Sequence, residues 1–109
     1  MSYSISTTPT FEKQAKKLAK KYPSLKSDLL SLIEKLEENP TQGVELIPNC
    51  YKVRIAIASK HKGKSGGARV ITYVHIENQQ VYLLSIFDKS EKEAISDAEI
   101  RDILGCIEL

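Results

Sequence analysis

The feature that most constrains this chain is a pair of strand-forming runs, residues 67–76 and 80–87, separated only by Glu77-Asn78-Gln79. Both are rich in β-branched and aromatic residues, which suit a half-buried pleated surface. A parallel crossover needs a dozen or more residues, so a link this short makes the two strands antiparallel neighbours. A third strand is expected over about 50–58, joined to the pair by the Lys- and Gly-rich stretch 60–67. Upstream, the spacing predicts a helix from about Thr10 to Lys21, with Phe11, Ala15, Leu18 and Tyr22 along one side. Tyr22-Pro23-Ser24 breaks it, because proline disfavours helical geometry in the residue before it. Leu25, Leu29, Leu32, Ile33 and Leu36 form the stripe of a second helix, which stops at Asn39-Pro40. Residues 41–49 read as a loop. Weak alternation over 3–7 predicts a short first strand. Near the end, Ser96 and Glu99 have capping-box spacing ahead of the stripe Ile100, Ile103, Leu104 and Ile107. The expected order is β-α-α-β-β-β-α. That is an α+β fold in one small domain, residues 1–109, with an antiparallel sheet and helices packed on one face.

With 109 residues the chain can bury a core without disulfides or metals. An apolar share of 41% and a charged share of 28% fit a globular domain and argue against disorder. The longest uncharged apolar stretch, Val81 to Phe87, is far short of the roughly 20 residues a membrane span needs. No charged-then-apolar export signal opens the sequence, so the expectation is a cytoplasmic protein with Cys50 and Cys106 as reduced thiols. His61 and His75 do not cluster with them, so neither a metal nor a cofactor is expected.

The net charge of +2 conceals an asymmetry. Lys52, Arg54, Lys60, Lys62, Lys64 and Arg69 all fall between Leu46 and Ile76, a stretch without Asp or Glu. It carries +6, and the rest of the chain carries −4. A one-sign block on an otherwise acidic domain points to a polyanion partner, most often nucleic acid. A second group, Lys13, Lys16, Lys17, Lys20 and Lys21, reads as the water face of the first helix. Alternation sharpens the first block. If Val53, Ile55 and Ile57 face the core, Lys52, Arg54 and Ala56 face away. Val70, Thr72, Val74 and Ile76 then look inward and Arg69, Ile71, Tyr73 and His75 outward. Leu83, Ser85 and Phe87 would join the outer face, with Lys89 just past the strand. Lys52, Arg54, Arg69 and Lys89 would thus converge near Tyr73 and Phe87, an arrangement suited to phosphates and stacked bases.

Such a cluster can do chemistry. Metal-free RNA cleavage needs a 2′-hydroxyl deprotonated, a phosphorane stabilised and a 5′-oxygen protonated. Preorganised cations stabilise the developing charge, and arginine grips phosphate oxygens in pairs. A lysine acts as a base only if its pKa falls, and neighbouring cations push it that way. The same cluster would also simply bind a backbone.

Three segments make the reading more specific: Cys50-Tyr51-Lys52-Val53-Arg54-Ile55, Gly66-Gly67-Ala68-Arg69-Val70-Ile71-Thr72-Tyr73, and Tyr82-Leu83-Leu84-Ser85-Ile86-Phe87-Asp88-Lys89-Ser90-Glu91. Their order and spacing, with the flanking helices, resemble the RelE/ParE toxin superfamily of bacterial type II toxin–antitoxin systems. The stretch from Ser59 to Gly67 is most similar to the HigB-type branch. The resemblance implies a RelE-like fold and a ribosome-dependent mRNA endoribonuclease, an mRNA interferase that cuts message in the ribosomal A site and is silenced by a cognate antitoxin. It implies catalytic roles for Arg69, Arg54, Lys89 and Lys52, with Arg69 at a phosphate-stabilising position and Lys89 at a cationic position assigned the general acid in some members. Lys60, Lys62 and Lys64 would hold message or ribosomal RNA, and Tyr73 or Phe87 would supply stacking. Some members carry a tyrosine where this chain has Ile95. His61 reads as a solvated loop residue and His75 as a structural partner. The expected partners are antitoxin, mRNA and ribosome. Two alternatives remain open at this level: a ParE-like poison of DNA gyrase, and a catalytically silent nucleic-acid-binding module.

Overall fold

The computed structural model describes residues 2–107. Its elements are β1 (Ser4–Thr7), α1 (Pro9–Lys21), α2 (Leu25–Glu38), β2 (Val44–Ile47), β3 (Cys50–Ile55), β4 (Ala68–His75), β5 (Gln80–Asp88) and α3 (Asp97–Leu104). Two short 3-10 turns, Ala58–Lys60 and Lys64–Gly66, shape the β3–β4 connection. The five strands form one sheet in the order β1-β5-β4-β3-β2. This is the expected α+β architecture.

The helix ends follow from their caps. Thr8 accepts a hydrogen bond from the Phe11 N–H at 3.0 Å, and Pro9 occupies the first helical turn of α1, where its missing N–H costs nothing. Ser96 and Glu99 form the reciprocal capping box of α3. Phe11 and Leu18 of α1, with Leu25, Leu32 and Leu36 of α2, bury against Val53, Ile55, Val70, Val74, Val81 and Leu83. Both helices therefore cover one face of the sheet, as their stripes require.

Four features differ from the sequence reading. First, α3 covers the opposite face: Ile100, with Ile103 and Leu104, packs on Ile47, Cys50, Ile71, Leu84 and Phe87. The outward side of β3–β5 is too apolar at its Cys50–Tyr73 end to be left wet. Second, residues 44–47 form a strand, β2, pairing Val44 with Lys52 and Glu45 with Tyr51. At four residues, with Val44 and Glu45 exposed, it has no alternation to betray it. Third, β1 pairs with β5 in parallel. The long α1–α2 excursion returns the chain to its far edge, so the sheet is mixed. Fourth, β5 changes phase. Ile71 lies opposite Ser85 and Thr72 opposite Leu83, which leaves Leu84 as an extra residue. Leu83 consequently faces α1 and α2, and Ser85 donates to Gln14 of α1. Ser85, opposite Ile71, and Phe87 keep the outward register, so Leu83 alone of the three expected residues is reversed. The freed backbone groups are satisfied locally: the Thr8 hydroxyl donates to the Leu84 carbonyl at 2.9 Å, and the Ile86 N–H donates to Gln14 Oε1 at 2.9 Å. Ile76, expected inside, is exposed beyond the end of β4.

Candidate functional site

Arg54 and Arg69 lie directly opposite each other on β3 and β4. Two glycines reveal how these strands are turned. A Cβ on Gly67 would sit 2.0 Å from the Ile55 carbonyl oxygen, and one on Gly43 would sit 2.2 Å from that of Lys52. Ile55 therefore directs its peptide groups toward β4, and Lys52 directs its own toward β2. Arg54 alternates with Ile55 and so turns its backbone the same way as Lys52. Arg54 and Arg69 are thus a non-hydrogen-bonded pair, the kind whose Cα atoms approach to about 4.5 Å and whose side chains lie closest.

Like charges facing each other across strands are destabilising, and here the two guanidiniums take different surroundings. Arg54 is exposed and makes no hydrogen bond or ion pair through its side chain among the described residues. Arg69 is only 3% exposed. Its guanidinium donates to the carbonyls of Lys64 at 3.0 Å, Ala68 at 3.1 Å and Ser65 at 3.4 Å. Burial, and then the charge of Arg54, lower its pKa. The sequence reading placed Arg69 openly on the working face. The structure places it beneath that face, clasping the loop that carries Lys62 and Lys64.

Lys52 is half-buried and lies two residues along β3 from Arg54, roughly 7 Å at strand rise. Lys62, Lys64 and Lys89 are exposed. Lys89 is fixed at its backbone, its N–H donating to the Gly67 carbonyl at 3.2 Å. Lys60, Lys62, Lys89, Ser65, Gly66 and Ser90 border one shallow depression. Arg54 and Lys64 share another with Lys52.

Lys60 borders the first of these depressions with its ammonium already paired. Its ammonium lies 2.7 Å from Asp88 Oδ1, with both side chains shut off from water. Asp88 also accepts from the Tyr22 hydroxyl at 2.7 Å, the Ser90 hydroxyl at 2.8 Å and the Ser90 N–H at 3.0 Å. Burial alone would raise the Asp88 pKa, but the hydrogen bonds from Lys60, Tyr22 and Ser90 together hold it well below the usual carboxylate range. Lys60 also sits over the Tyr22 ring, 5.3 Å from its centroid. This knot ties the β3–β4 connection to α1 and to the end of β5. Lys60 is a structural cation, not an exposed RNA contact. The sequence reading missed Asp88 and Tyr22. The signal was there: a lone carboxylate closing a strand beside a block of cations.

The aromatic residues are also engaged. Phe87 lies opposite Arg69 but is 7% exposed, and Lys92 sits over its ring at 5.7 Å. Tyr73 is half-buried, its ring 6.2 Å from those of both His75 and Tyr82, in the cluster under α3. Neither offers a free platform for a base. Ile95 packs into the same cluster. His61 is exposed at φ 59° on the loop, and His75 is half-buried. Among the described residues no His, Cys, Asp or Glu side chains gather into a group that could hold a metal ion, and no helix is long and apolar enough to cross a membrane.

The model of one protein family, described as the RelE toxin of the RelE/RelB toxin–antitoxin system, matches residues 6–105. The fold is similar to that of a doubly substituted RelE toxin of Escherichia coli in the free state, at 18% identity and TM-score 0.65, covering 99% of this chain and 100% of that one. It is also similar to a chain of the intact E. coli RelBE toxin–antitoxin complex, at 20% identity and TM-score 0.62, covering 79% of this chain and 95% of that one. The RelBE2 toxin–antitoxin complex of Mycobacterium tuberculosis matches at 16% identity and TM-score 0.61, covering 81% and 99%.

Proposed function

We propose that this chain, which belongs to the RelE toxin family of toxin–antitoxin systems, is a ribosome-dependent endoribonuclease that cuts mRNA in the ribosomal A site and stops translation. The observation that carries the reading is the cation row on β3, exposed at Arg54 and half-buried at Lys52, with neither in an ion pair among the described residues. Arg54 and Lys52 stand on the outer face, with Lys64 and Lys89 at its rim and Arg69 directly behind. In the reaction the 2′-oxygen of the message attacks the adjacent phosphorus. That leaves a 2′,3′-cyclic phosphate on one fragment and a 5′-hydroxyl on the other. Arg54 holds the non-bridging oxygens and takes up the charge that grows on them. Arg69, held in place by three carbonyls, adds positive potential from below. Lys52 and Lys89 flank the phosphate and handle the protons on the attacking and leaving oxygens.

A row of cations on a small rigid sheet has nothing to hold the message in a bent, reactive form. The ribosome supplies that order, which is why the reading includes it. Antitoxin binding follows the same logic, since an acidic segment laid over the row would silence it. Family membership and the antitoxin-bound relatives support this partner. The location that goes with these partners is the cytoplasm.

The test is induction of the chain in a bacterial host without its antitoxin, with 5′-ends of a reporter mRNA mapped over the first minutes. New cuts confined to translated frames, lost with Arg54→Ala, are the expected result. Growth arrest with intact message and damaged DNA would replace this reading with gyrase poisoning.

A further inference from the structure

The exposed cations are not confined to the outer face. A cleft of about 180 Å³ lies between α2 and the edge of β3, lined among others by Ser31, Lys35, Gln42, Arg54 and Lys64. It shares Gln42, Arg54 and Lys64 with a second depression of about 280 Å³ that continues past Gly43 to Lys52. The two form one groove around the β2–β3 edge. Lys35, Lys52, Arg54 and Lys64 all border it, and none has an ion-pair partner among the described residues. Its single carboxylate, Asp28, is already engaged: Oδ2 accepts from the Ser24 hydroxyl at 2.8 Å and the Ala58 N–H at 3.1 Å.

The edge itself adds a donor. The β2–β3 ladder ends at Val44 and Lys52. Arg54 turns its peptide groups to that same side, beyond the last pairing, and no loop hydrogen bond closes on its N–H among the described residues. Its guanidinium and its backbone N–H therefore both serve the groove. Gly43, at φ 94° and against the Lys52 carbonyl, keeps the floor open because any side chain there would collide with backbone. A backbone N–H with convergent cations recognises an oxyanion. The groove has no aromatic lining, so it suits a chain of phosphates and not a base.

We infer that this groove is a second phosphate subsite, which takes the RNA backbone on one side of the cut and is anchored by Lys35, Gln42 and Lys64. The inference rests on the nuclease reading and extends the RNA path from the outer face around the sheet edge onto α2.

The test is fluorescence anisotropy of a non-cleavable, nine-residue 2′-O-methyl RNA across a salt series. Each phosphate contact contributes a slope of about 0.7 in the log–log plot. Lys35→Ala is expected to lower the slope by about 0.7, so that affinity falls roughly threefold less between 50 and 200 mM salt. Melting temperature should not change. Lys26→Ala, on the same helix outside the groove, is expected to leave the slope alone. An unchanged slope for Lys35→Ala, or equal effects of the two variants, overturns the subsite while leaving the nuclease reading standing. No RNA binding by the unaltered chain overturns the subsite; the nuclease reading, which takes its order from the ribosome, then stands or falls on cleavage of ribosome-bound message. An acidic peptide that binds through Lys35 when RNA does not would give the groove to a protein partner and overturn the proposal.

Discussion

Removing Lys60 tests whether the buried knot at Asp88 holds the cation-bearing loop in place. Lys60→Met keeps the aliphatic stem and deletes the charge. It leaves the Asp88 carboxylate at 1% exposure with only Tyr22 and Ser90 as donors. Breaking a buried ion pair by removing one partner costs about 3–5 kcal/mol, because the remaining charge stays desolvated. Loss of the cation–π contact with Tyr22 adds to this. At about 4 °C per kcal/mol for a chain of this size, the melting temperature should fall by roughly 12–20 °C. The double variant Lys60→Met/Asp88→Asn removes both charges and should recover much of that loss. The same knot sets an acid limit. The Asp88 pKa is depressed in the folded state, so the unfolded chain takes up its proton first as pH falls. The stabilisation is complete above the unfolded carboxyl pKa of about 3.9 and is lost progressively below it. Urea melts at pH 7 and pH 3 measure both effects. A Lys60→Met variant within 1 kcal/mol of the parent at pH 7 would show that the pair is solvated and the reasoning wrong.

Other perturbations follow from the same contacts. Gly67→Ala places a Cβ 2.0 Å from the Ile55 carbonyl, so β3 and β4 must separate beside Arg69. A loss of about 1–3 kcal/mol or more in urea melts is expected. Ile100→Ala empties the centre of the cluster that α3 builds on the outer face and should cost about 2–5 kcal/mol. Arg69→Lys keeps the charge but cannot span three carbonyls. Proteolysis should cut between Lys62 and Gly66 faster in that variant, while Arg54→Ala is digested at the parental rate.

The sequence disclosed what periodicity and caps can carry. The stripe from Leu25 to Leu36, the Ser96 capping box and the link at Glu77-Asn78-Gln79 all led to the elements observed. Arg54 and Lys52 were placed correctly because β3 is regular. The same rule failed on β5, where one extra residue at Leu84 reversed the face of Leu83. A bulge leaves no mark in an apolar run; its supports, Thr8 and Gln14, are about seventy residues away in the chain. Alternation also says which face a side chain leaves by, but not what it meets there. Arg69 and Lys60 both sit in the cationic block, yet one is clasped by carbonyls and the other by a buried carboxylate. Phe87 and Tyr73 were expected to be open because the cover of their face by α3 is a tertiary event. One consequence is practical. Arg69→Ala confounds lost chemistry with a lost loop, whereas Arg54 can be removed without disturbing any side-chain hydrogen bond among the described residues.

The central claim is that the exposed row at Arg54 cleaves message through its 2′-hydroxyl. It is tested most directly by adding the purified chain to ribosomes carrying a defined mRNA in the decoding site and mapping the ends by primer extension. The account predicts one cut in the A-site codon, absent when the nucleotide on its 5′ side is 2′-deoxy, and at least about a hundredfold slower with Arg54→Ala. Uncut message with the unaltered chain, or equal cutting by Arg54→Ala, would contradict it.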